Sequence, residues 1–354
     1  MSRGRLLIVG GGQSGLAAAR TGRVRGWEPV VLEAGDEPVG SWPRYYDSLR
    51  LFSPRRFSSF PGYPFPGDPD GYPGRDEVVE YLRGYADRLG VEVRTNARVV
   101  DVTADGPAFT VELADGSSLV GDALIAASGS FGNPHVPAIP GRGAFEGRVL
   151  HVADYRSPEE FAGQRVVVVG AGNSAVQVAH ELAEHAETSL AVRDRVRFAP
   201  QMIAGRDLHW WLRLTRADLL PPSVLERLVT GTPVIGTDTY KRALEAGRPD
   251  QRPMFTALSP DGVVWPDVSR EQVDAVIFAT GYRPHLTYLT SLGVLDGAGR
   301  PRHDRGVSTA LPGLGFLGVE FQRSFSSNTL RGVHRDARHV VDALTRLPRG
   351  AAVA

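Results

Sequence analysis

The amino-acid sequence predicts an α/β protein in which one unit of strand, glycine-rich turn, helix and second strand occurs twice, with the second copy inserted in the first. Two observations predict this fold class. GGGQSG follows an apolar run at residues 6–9, and GAGNSA follows a second run at 166–169. Four consecutive apolar residues are typical of a parallel strand buried on both faces. Each copy also has a closing strand, DALIAASG and DAVIFATG.

Composition limits the possible functions. The chain has 354 residues, which suits two domains, and its 40 basic and 40 acidic residues give no net charge. We therefore expect no nucleic-acid partner and no attraction to an anionic membrane. Cysteine is absent, which excludes disulfides and thiolate nucleophiles, and we predict no metal site. Because no apolar run approaches ~18 residues, we expect a cytoplasmic protein without a membrane segment.

The first glycine-rich turn predicts a dinucleotide site. Gly10, Gly12 and Gly15 fit G-x-G-x-x-G, in which backbone N–H groups approach a pyrophosphate at the N-terminus of the following helix. The next strand ends at Glu33, where a carboxylate accepts hydrogen bonds from a ribose 2′-hydroxyl. A free ribose diol at this position is a feature of FAD.

The second turn repeats the pattern with one change of charge. Gly170 and Gly172 match the first two glycines, Ala175 replaces the third, and the following strand ends at Arg193, the equivalent of Glu33. A guanidinium suits the 2′-phosphate of NADPH. The alternative is that the glycines form ordinary turns and that Arg193 is a solvated strand end.

The predicted domain organisation follows from this duplication. Short strands and a tight Asp115-Gly116 turn between the two copies indicate a strand-rich excursion, and a helix around 330–347 should return to the first domain. We predict an FAD-binding domain at residues 1–150, an NADPH-binding domain at 151–285 with a helical insertion at about 200–253, and the end of the FAD-binding domain at 286–354.

The insertion has an unusual composition. Its LHWWLRL stretch is either a packing or dimer face or a wall of the substrate channel, and Pro221-Pro222 predict the start of a helix. The sequence leaves both the role of this stretch and a homodimer open.

A third motif identifies a family. Residues 145–156 fit F-x-G-x-x-x-H-x-x-x-Y-R, and with GGGQSG, GAGNSA and the ATGY of residues 279–282 they make the chain resemble the flavin-containing monooxygenases, particularly the short bacterial forms. Related Baeyer-Villiger monooxygenases carry tryptophan where this chain has Tyr155, so the resemblance favours heteroatom oxidation. For His151 it implies a domain hinge or a gate for the nicotinamide, rather than direct proton transfer.

The same resemblance indicates residues beside the flavin. Gly40, Ser41 and Trp42 should lie near the isoalloxazine ring, although Val39 replaces the first glycine of the family's G-G-x-W. Ser53 stands near where many members carry an asparagine that supports the oxygen adduct. Further candidates are Gln322 and the 327–329 segment before the last helix, whose dipole would stabilise a reduced flavin; a simple helix cap is the alternative.

The motifs and the resemblance together predict two sets of cofactor contacts. The FAD set is Gly10, Gly12, Gln13, Ser14, Gly15, Glu33, Gly40, Ser41, Trp42, Val99, Gly129, Gln322 and Thr329. The NADPH set is Gly170, Gly172, Asn173, Ser174, Ala175, Arg193, Ala279, Thr280, Gly281 and Tyr282.

The resemblance implies an FAD- and NADPH-dependent monooxygenase. FAD reduced by NADPH would react with O2 to a peroxyflavin, which would oxygenate the nitrogen or sulfur of a small-molecule substrate. Baeyer-Villiger oxygenation of a ketone, electron transfer to a ferredoxin and a non-enzymatic flavin sensor are alternatives. A disulfide reductase of the same nested-domain type is excluded, because it needs a redox-active cysteine pair.

Overall fold

The structure is a computed structural model that describes residues 3–220, 233–236 and 238–347. The helix predicted after Pro221-Pro222 lies outside the described residues. None of the helices in the described ranges is long and apolar enough to span a bilayer.

The helices and strands are numbered in chain order. Up to the start of the second unit they are β1 (Arg5–Val9), α1 (Gln13–Val24), β2 (Glu28–Leu32), α2 (Arg75–Leu89), β3 (Glu92–Arg94), β4 (Val99–Asp105), β5 (Ala108–Leu113), β6 (Ser118–Gly121), β7 (Ala123–Ala126) and β8 (Arg148–His151). The remainder are β9 (Arg165–Val169), α3 (Asn173–Leu182), β10 (Glu187–Val192), β11 (Phe198–Pro200), β12 (Met202–Ile203), β13 (Arg206–Asp207), α4 (Leu208–Thr215), β14 (Val234–Gly236), α5 (Asp238–Glu245), β15 (Asp250–Pro253), β16 (Ala257–Ser259), β17 (Gly262–Val264), β18 (Arg270–Gln272), β19 (Ala275–Phe278), β20 (His303–Asp304), β21 (Val307–Ser308), β22 (Leu314–Phe316) and α6 (Val333–Arg346).

The first sheet combines the beginning and the end of the chain. Its strand order is β20-β21-β22-β7-β1-β2-β3, in which β1, β2, β3, β7 and β22 are parallel. The late strand β22 pairs directly with β7, and α6 packs against α1. The excursion predicted between the two copies is the antiparallel sheet β4-β5-β6.

All strands of the second sheet lie in sequence between β7 and β20, the two parts of the first sheet. Its order is β15-β10-β9-β19-β8, with all strands parallel. The central strand of this sheet is β9, and its residues Val166 to Val169 are buried, as a strand covered on both faces requires. A hairpin of β12 and β13 and the helix α4 follow β11 within the predicted insertion.

The two sheets have the same central arrangement. In the first, β1 lies between β2 and β7; in the second, β9 lies between β10 and β19. Each central strand leads through a glycine-rich turn into a helix, α1 or α3. The predicted fold class, two Rossmann-like units with the second inserted in the first, is therefore confirmed. The residue boundaries given for the domains stay a prediction.

Candidate functional site

A single cavity of about 2340 Å³ runs along the ends of both sheets. Both glycine-rich turns line it, together with the residues that follow β2 and β10. A site for one small ligand usually encloses ~300–1,000 Å³. The cavity therefore has room for two dinucleotides and a further small molecule.

The first glycine-rich turn has no space for a side chain at Gly10 or Gly15. Gly10 has φ 106°, a conformation that favours glycine, and a Cβ on Gly40 would lie 2.8 Å from the Cα of Gly12. A Cβ on Gly15 would lie 1.8 Å from the carbonyl oxygen of Gly10. Gly15 thus permits the close packing of α1 on β1, and a ligand can approach the bare backbone of Gly10 and Gly12.

Glu33 comes directly after β2 and is held firmly at the cavity. Its Oε2 accepts a hydrogen bond from the N–H of Gly11 at 2.6 Å, and its Oε1 accepts one from the N–H of Gly35 at 2.8 Å. The residue is 7% exposed and lines the cavity. Each carboxylate oxygen keeps a free lone pair, so the group can still accept hydrogen bonds from two ribose hydroxyls.

The second glycine-rich turn is connected to the insertion. Asn173 and Ser174 line the cavity at the start of α3, and the Oδ1 of Asn173 accepts a hydrogen bond from the N–H of Ile235 at 3.0 Å. Gly170 has φ 142°. Ala175 is completely buried and packs beneath the turn.

Arg193 comes directly after β10, at the same place as Glu33 in the first unit. Its side chain is exposed and lines the cavity, as do Asp194, Arg195 and Arg197. Three arginines against one aspartate make this end of the cavity positive. Such a surface can pair with a 2′-phosphate by charge-assisted hydrogen bonds.

The flavin-side candidates from the sequence meet in the cavity. The indole Nε1 of Trp42 donates to the Oε1 of Gln13 at 2.8 Å, and the amide Nε2 of Gln13 donates to the carbonyl oxygen of Asn328 at 2.8 Å. These bonds connect the first glycine-rich turn with the segment before α6. Ser53 is buried at the cavity wall, with its hydroxyl 2.9 Å from that of Ser58.

Gln322 has an unusual environment. Both polar atoms of its side chain are buried without a hydrogen-bond partner among the described residues, although the residue lines the cavity. Its neighbour Phe321 has φ 54°, which costs a residue other than glycine ~1 kcal/mol or more. A strained backbone beside an unpartnered amide is typical of a ligand site. The bare Gly12 backbone, Glu33 and the free amide of Gln322 fit an FAD molecule.

His151, the last residue of β8, does not line the cavity. Its Nδ1 accepts a hydrogen bond from the N–H of Ala153 at 3.1 Å, so its Nε2 carries the proton and donates to the carbonyl oxygen of Gly281 at 3.1 Å. Burial lowers the pKa of His151, and the ring is 3% exposed. A neutral imidazole with both nitrogens engaged is poorly suited to proton transfer and supports the position of the Gly281-Tyr282 turn.

That turn forms an aromatic wall. The ring of Tyr282 stands edge-on to His151 at 4.9 Å and stacks on Phe131 at 5.4 Å, and the Arg44 guanidinium lies 5.0 Å from the Phe131 ring. Burial raises the pKa of the Tyr282 hydroxyl, so it stays protonated. The cavity can therefore hold a planar ring against this wall.

The structure brings most predicted residues together. Every residue of the two predicted sets lines the cavity except Gly15 and Ala175, which lie beneath the two turns. The prediction that these two small residues contact a cofactor directly is therefore corrected: Gly15 and Ala175 pack beneath the turns. Tyr155 is also buried away from the cavity, against Tyr46 and Phe161.

Sequence reasoning missed part of the wall. Arg195, Phe52, Phe325 and Arg331 also line the cavity. Arg195 belongs to the same RDRVR run as Arg193, which was a usable signal. The other three, Phe52, Phe325 and Arg331, lie within three residues of the predicted Ser53, Gln322 and Thr329, but no motif position marks them.

Comparison with known proteins gives the family. Residues 7–213 match the family model described as pyridine nucleotide-disulphide oxidoreductase. The flavin-containing monooxygenase from Stenotrophomonas maltophilia has a TM-score of 0.85 and 32% identity, covering 98% of this chain and 99% of that chain. The chain belongs to the flavin-containing monooxygenase family. Members of this family use FAD and NADPH, so the predicted cofactor classes and the oxidoreductase class are confirmed.

Two curated relatives match most of the chain. An uncharacterized CzcO-like oxidoreductase from Geobacillus kaustophilus is 32% identical over 95% of this chain and 97% of that protein. Indole-3-pyruvate monooxygenase YUCCA1 from Oryza sativa is 34% identical over 79% of this chain and 77% of that protein. The family model's name includes disulphide chemistry, but this chain has no cysteine that could form a redox-active pair.

Proposed function

We propose that the protein is an NADPH-dependent flavoprotein monooxygenase that oxygenates a nitrogen or sulfur atom of a small molecule. The observation that carries the proposal is the single cavity lined by both glycine-rich turns, with Glu33 after β2 and Arg193 after β10. One wall accepts hydroxyl donors and the other presents guanidinium groups. This contrast supports FAD in the first unit and NADPH in the second.

The protein's part is to bind, orient and exclude water. Glu33 would hold the FAD ribose, Arg193 the 2′-phosphate of NADPH, and Tyr282 would form part of the wall that excludes water. When bound, the flavin accepts electrons from the nicotinamide and activates O2. One oxygen atom of O2 goes to the substrate, the other leaves as water, and NADPH supplies the two electrons.

A second candidate is oxygenation beside the carbonyl group of a keto acid. The name of the YUCCA1 relative, indole-3-pyruvate monooxygenase, favours it. Tyr155, which favours heteroatom chemistry by family resemblance, lies in the core and has no contact with the cavity. The preference for heteroatoms therefore depends on the family pattern alone and needs a direct test.

The test is a substrate panel with the purified FAD-loaded protein. Thioethers, tertiary amines, ketones and keto acids are each incubated with NADPH and O2, and product, NADPH oxidation and hydrogen peroxide are measured. We expect thioether or amine oxides in near-stoichiometric amounts relative to NADPH. Product from the keto acids alone would support the second candidate, whereas NADPH oxidation that yields only peroxide with every compound would reject oxygenation.

A further inference from the structure

The cavity wall formed by residues 317–331 combines aromatic rings with one positive and one negative side chain. Its cavity-lining side chains include Phe321 and Phe325, one anion, Glu320, and a single cation, Arg331. The cation lies close to the second ring, with its Cζ 5.8 Å from the ring centre of Phe325. The wall therefore offers an apolar surface next to one guanidinium.

Arg331 uses only part of its hydrogen-bonding capacity. Its Nε lies 3.0 and 3.3 Å from the two carboxylate oxygens of Asp218, and its Nη2 donates to one of them at 3.0 Å. The residue is 6% exposed, and its Nη1 is buried with no hydrogen-bond partner among the described residues. A buried charged donor without an acceptor is destabilising. This cost is recovered if a ligand in the cavity supplies an acceptor.

Among the described residues, the side chains around Arg331 carry an excess of positive charge. Two buried carboxylates, Asp218 and Asp336, lie among three arginines, and Asp336 is paired with Arg323 at 2.8 Å. The third, Arg335, is half-buried, and its Nη1 also has no partner in the described chain. Burial lowers the pKa of Arg335, and repulsion from Arg331 acts in the same direction. An anion bound here would relieve this repulsion.

We propose that Arg331 binds a carboxylate of the substrate, so that the preferred substrates are small molecules with an apolar or aromatic body and an acid group. The inference rests on the proposed function, because it assigns a substrate class to the same cavity. The fork of Nε and Nη2 is fixed by Asp218, and the edge that carries Nη1 remains for the acid. The phenylalanine rings would pack against the apolar body.

The experiment uses the FAD-loaded protein and a matched pair of compounds, (phenylthio)acetate and its methyl ester. The two share the thioether and the aromatic ring and differ in charge. Binding is measured by isothermal titration calorimetry, and turnover by sulfoxide formation with NADPH. We expect the acid to bind about tenfold or more tightly than the ester, the factor given by one charge-assisted hydrogen bond.

Two variants separate recognition from folding. Arg331→Lys keeps a charge that can pair with Asp218 but removes the second donor edge, and should lower the acid-to-ester ratio of affinities about tenfold. Arg338→Lys, at an exposed position of α6, is the matched control and should leave that ratio unchanged. Thermal denaturation and FAD content identify any variant that is misfolded. If Arg331→Lys is misfolded, the wild-type comparison of acid and ester decides alone.

The outcomes distinguish this proposal from the proposed function. Equal affinity of the wild-type protein for acid and ester, or an Arg331→Lys ratio equal to the wild-type ratio, would overturn the carboxylate site. Preferential binding of the acid without any sulfoxide would keep the carboxylate site and reject thioether oxygenation. Preferential binding together with sulfoxide formation would support both.

Discussion

The two Rossmann-like units share a framework and differ in how the residue after the second strand is held. In the first, Glu33 is buried and fixed by two backbone N–H groups; in the second, Arg193 is exposed beside two more arginines. The carboxylate is therefore positioned before any ligand arrives, whereas the guanidinium keeps its freedom. The comparison teaches that the same framework can fix the side chain after its second strand or leave it exposed.

The two glycine-rich turns also differ in how tightly they are packed. Gly15 has no room for a Cβ, because it would meet the carbonyl oxygen of Gly10, whereas Ala175 accommodates its own Cβ in the second turn. The first helix therefore approaches its strand more closely than the second can. The first unit is the more tightly constrained site, which suits a cofactor that stays bound.

The largest effect is expected from substitutions that remove this difference in packing between the two turns. Gly15→Ala should lower the free energy of unfolding by about 3 kcal/mol and release FAD, since helix α1 has to move away from β1. Ala175→Gly should cost only about 1 kcal/mol, the difference in helix propensity. Thermal denaturation and flavin absorbance per mole of protein measure both. Equal small losses would show that the two turns are packed alike.

The next effect tests the fixed carboxylate. Glu33→Gln places an amide NH2 against one of two backbone N–H groups, so FAD affinity should fall by about 2 kcal/mol, roughly 30-fold. Titration of the apoprotein with FAD measures it. Glu28→Gln, at the exposed start of β2, is the control and should keep wild-type affinity. An unchanged affinity of the Glu33 variant would mean that the carboxylate has no part in FAD binding.

A smaller effect is expected from the exposed guanidinium. Arg193→Gln should weaken NADPH binding by about 1.5 kcal/mol, roughly tenfold, and leave NADH binding nearly unchanged. Stopped-flow measurement of flavin reduction with each nucleotide gives both constants, with Arg270→Gln on the exposed β18 as the control. Equal losses for NADPH and NADH would reject the 2′-phosphate assignment.

The smallest effect concerns the helix that covers the first unit. Burial lowers the pKa of His334 on α6 to about 4, with Arg335, Arg338 and Arg20 acting in the same direction. Its unfolded pKa is ~6.5, so the unfolded chain binds more protons between these values. The stability present above pH ~6.5 is therefore lost as the pH falls toward 4.

His334→Gln should reduce the loss of unfolding free energy between pH 7 and pH 5 by about 1 kcal/mol. Urea denaturation at both pH values measures it. His185→Gln, exposed after α3 of the second unit, serves as the comparison. If the unfolding free energy of the His334 variant depends on pH as strongly as that of the wild type, this histidine is not the source of the pH dependence.

Local patterns predicted the framework because each part is encoded within a short stretch. The run at 166–169, the glycines of GAGNSA and the strand end at Arg193 are close in sequence, and the structure keeps them in that order along β9, α3 and β10. The same holds for Glu33. Strand ends could be predicted because a parallel sheet places them all at one edge.

Other features were missed for two different reasons. Helix α2 had a usable signal in the sequence. Glu77 accepts a hydrogen bond from the N–H of Gly74 at the start of the helix, and the apolar residues Val78, Tyr81 and Leu82 follow at helical spacing. The pair of Asp218 and Arg331 had none, since its partners are far apart in sequence. Contacts of that kind depend on the packing of the insertion against the end of the chain.

The pairing of β22 with β7 has a consequence for synthesis of the protein. The strands of the second sheet run from β8 to β19 in sequence, whereas the first sheet is completed only by β20 to β22, which are translated after the whole inserted unit. On the ribosome, the inserted unit can therefore complete its sheet while β7 still has an open edge. We expect nascent chains that stop before β22 to depend on chaperones, because an unpaired strand edge promotes aggregation.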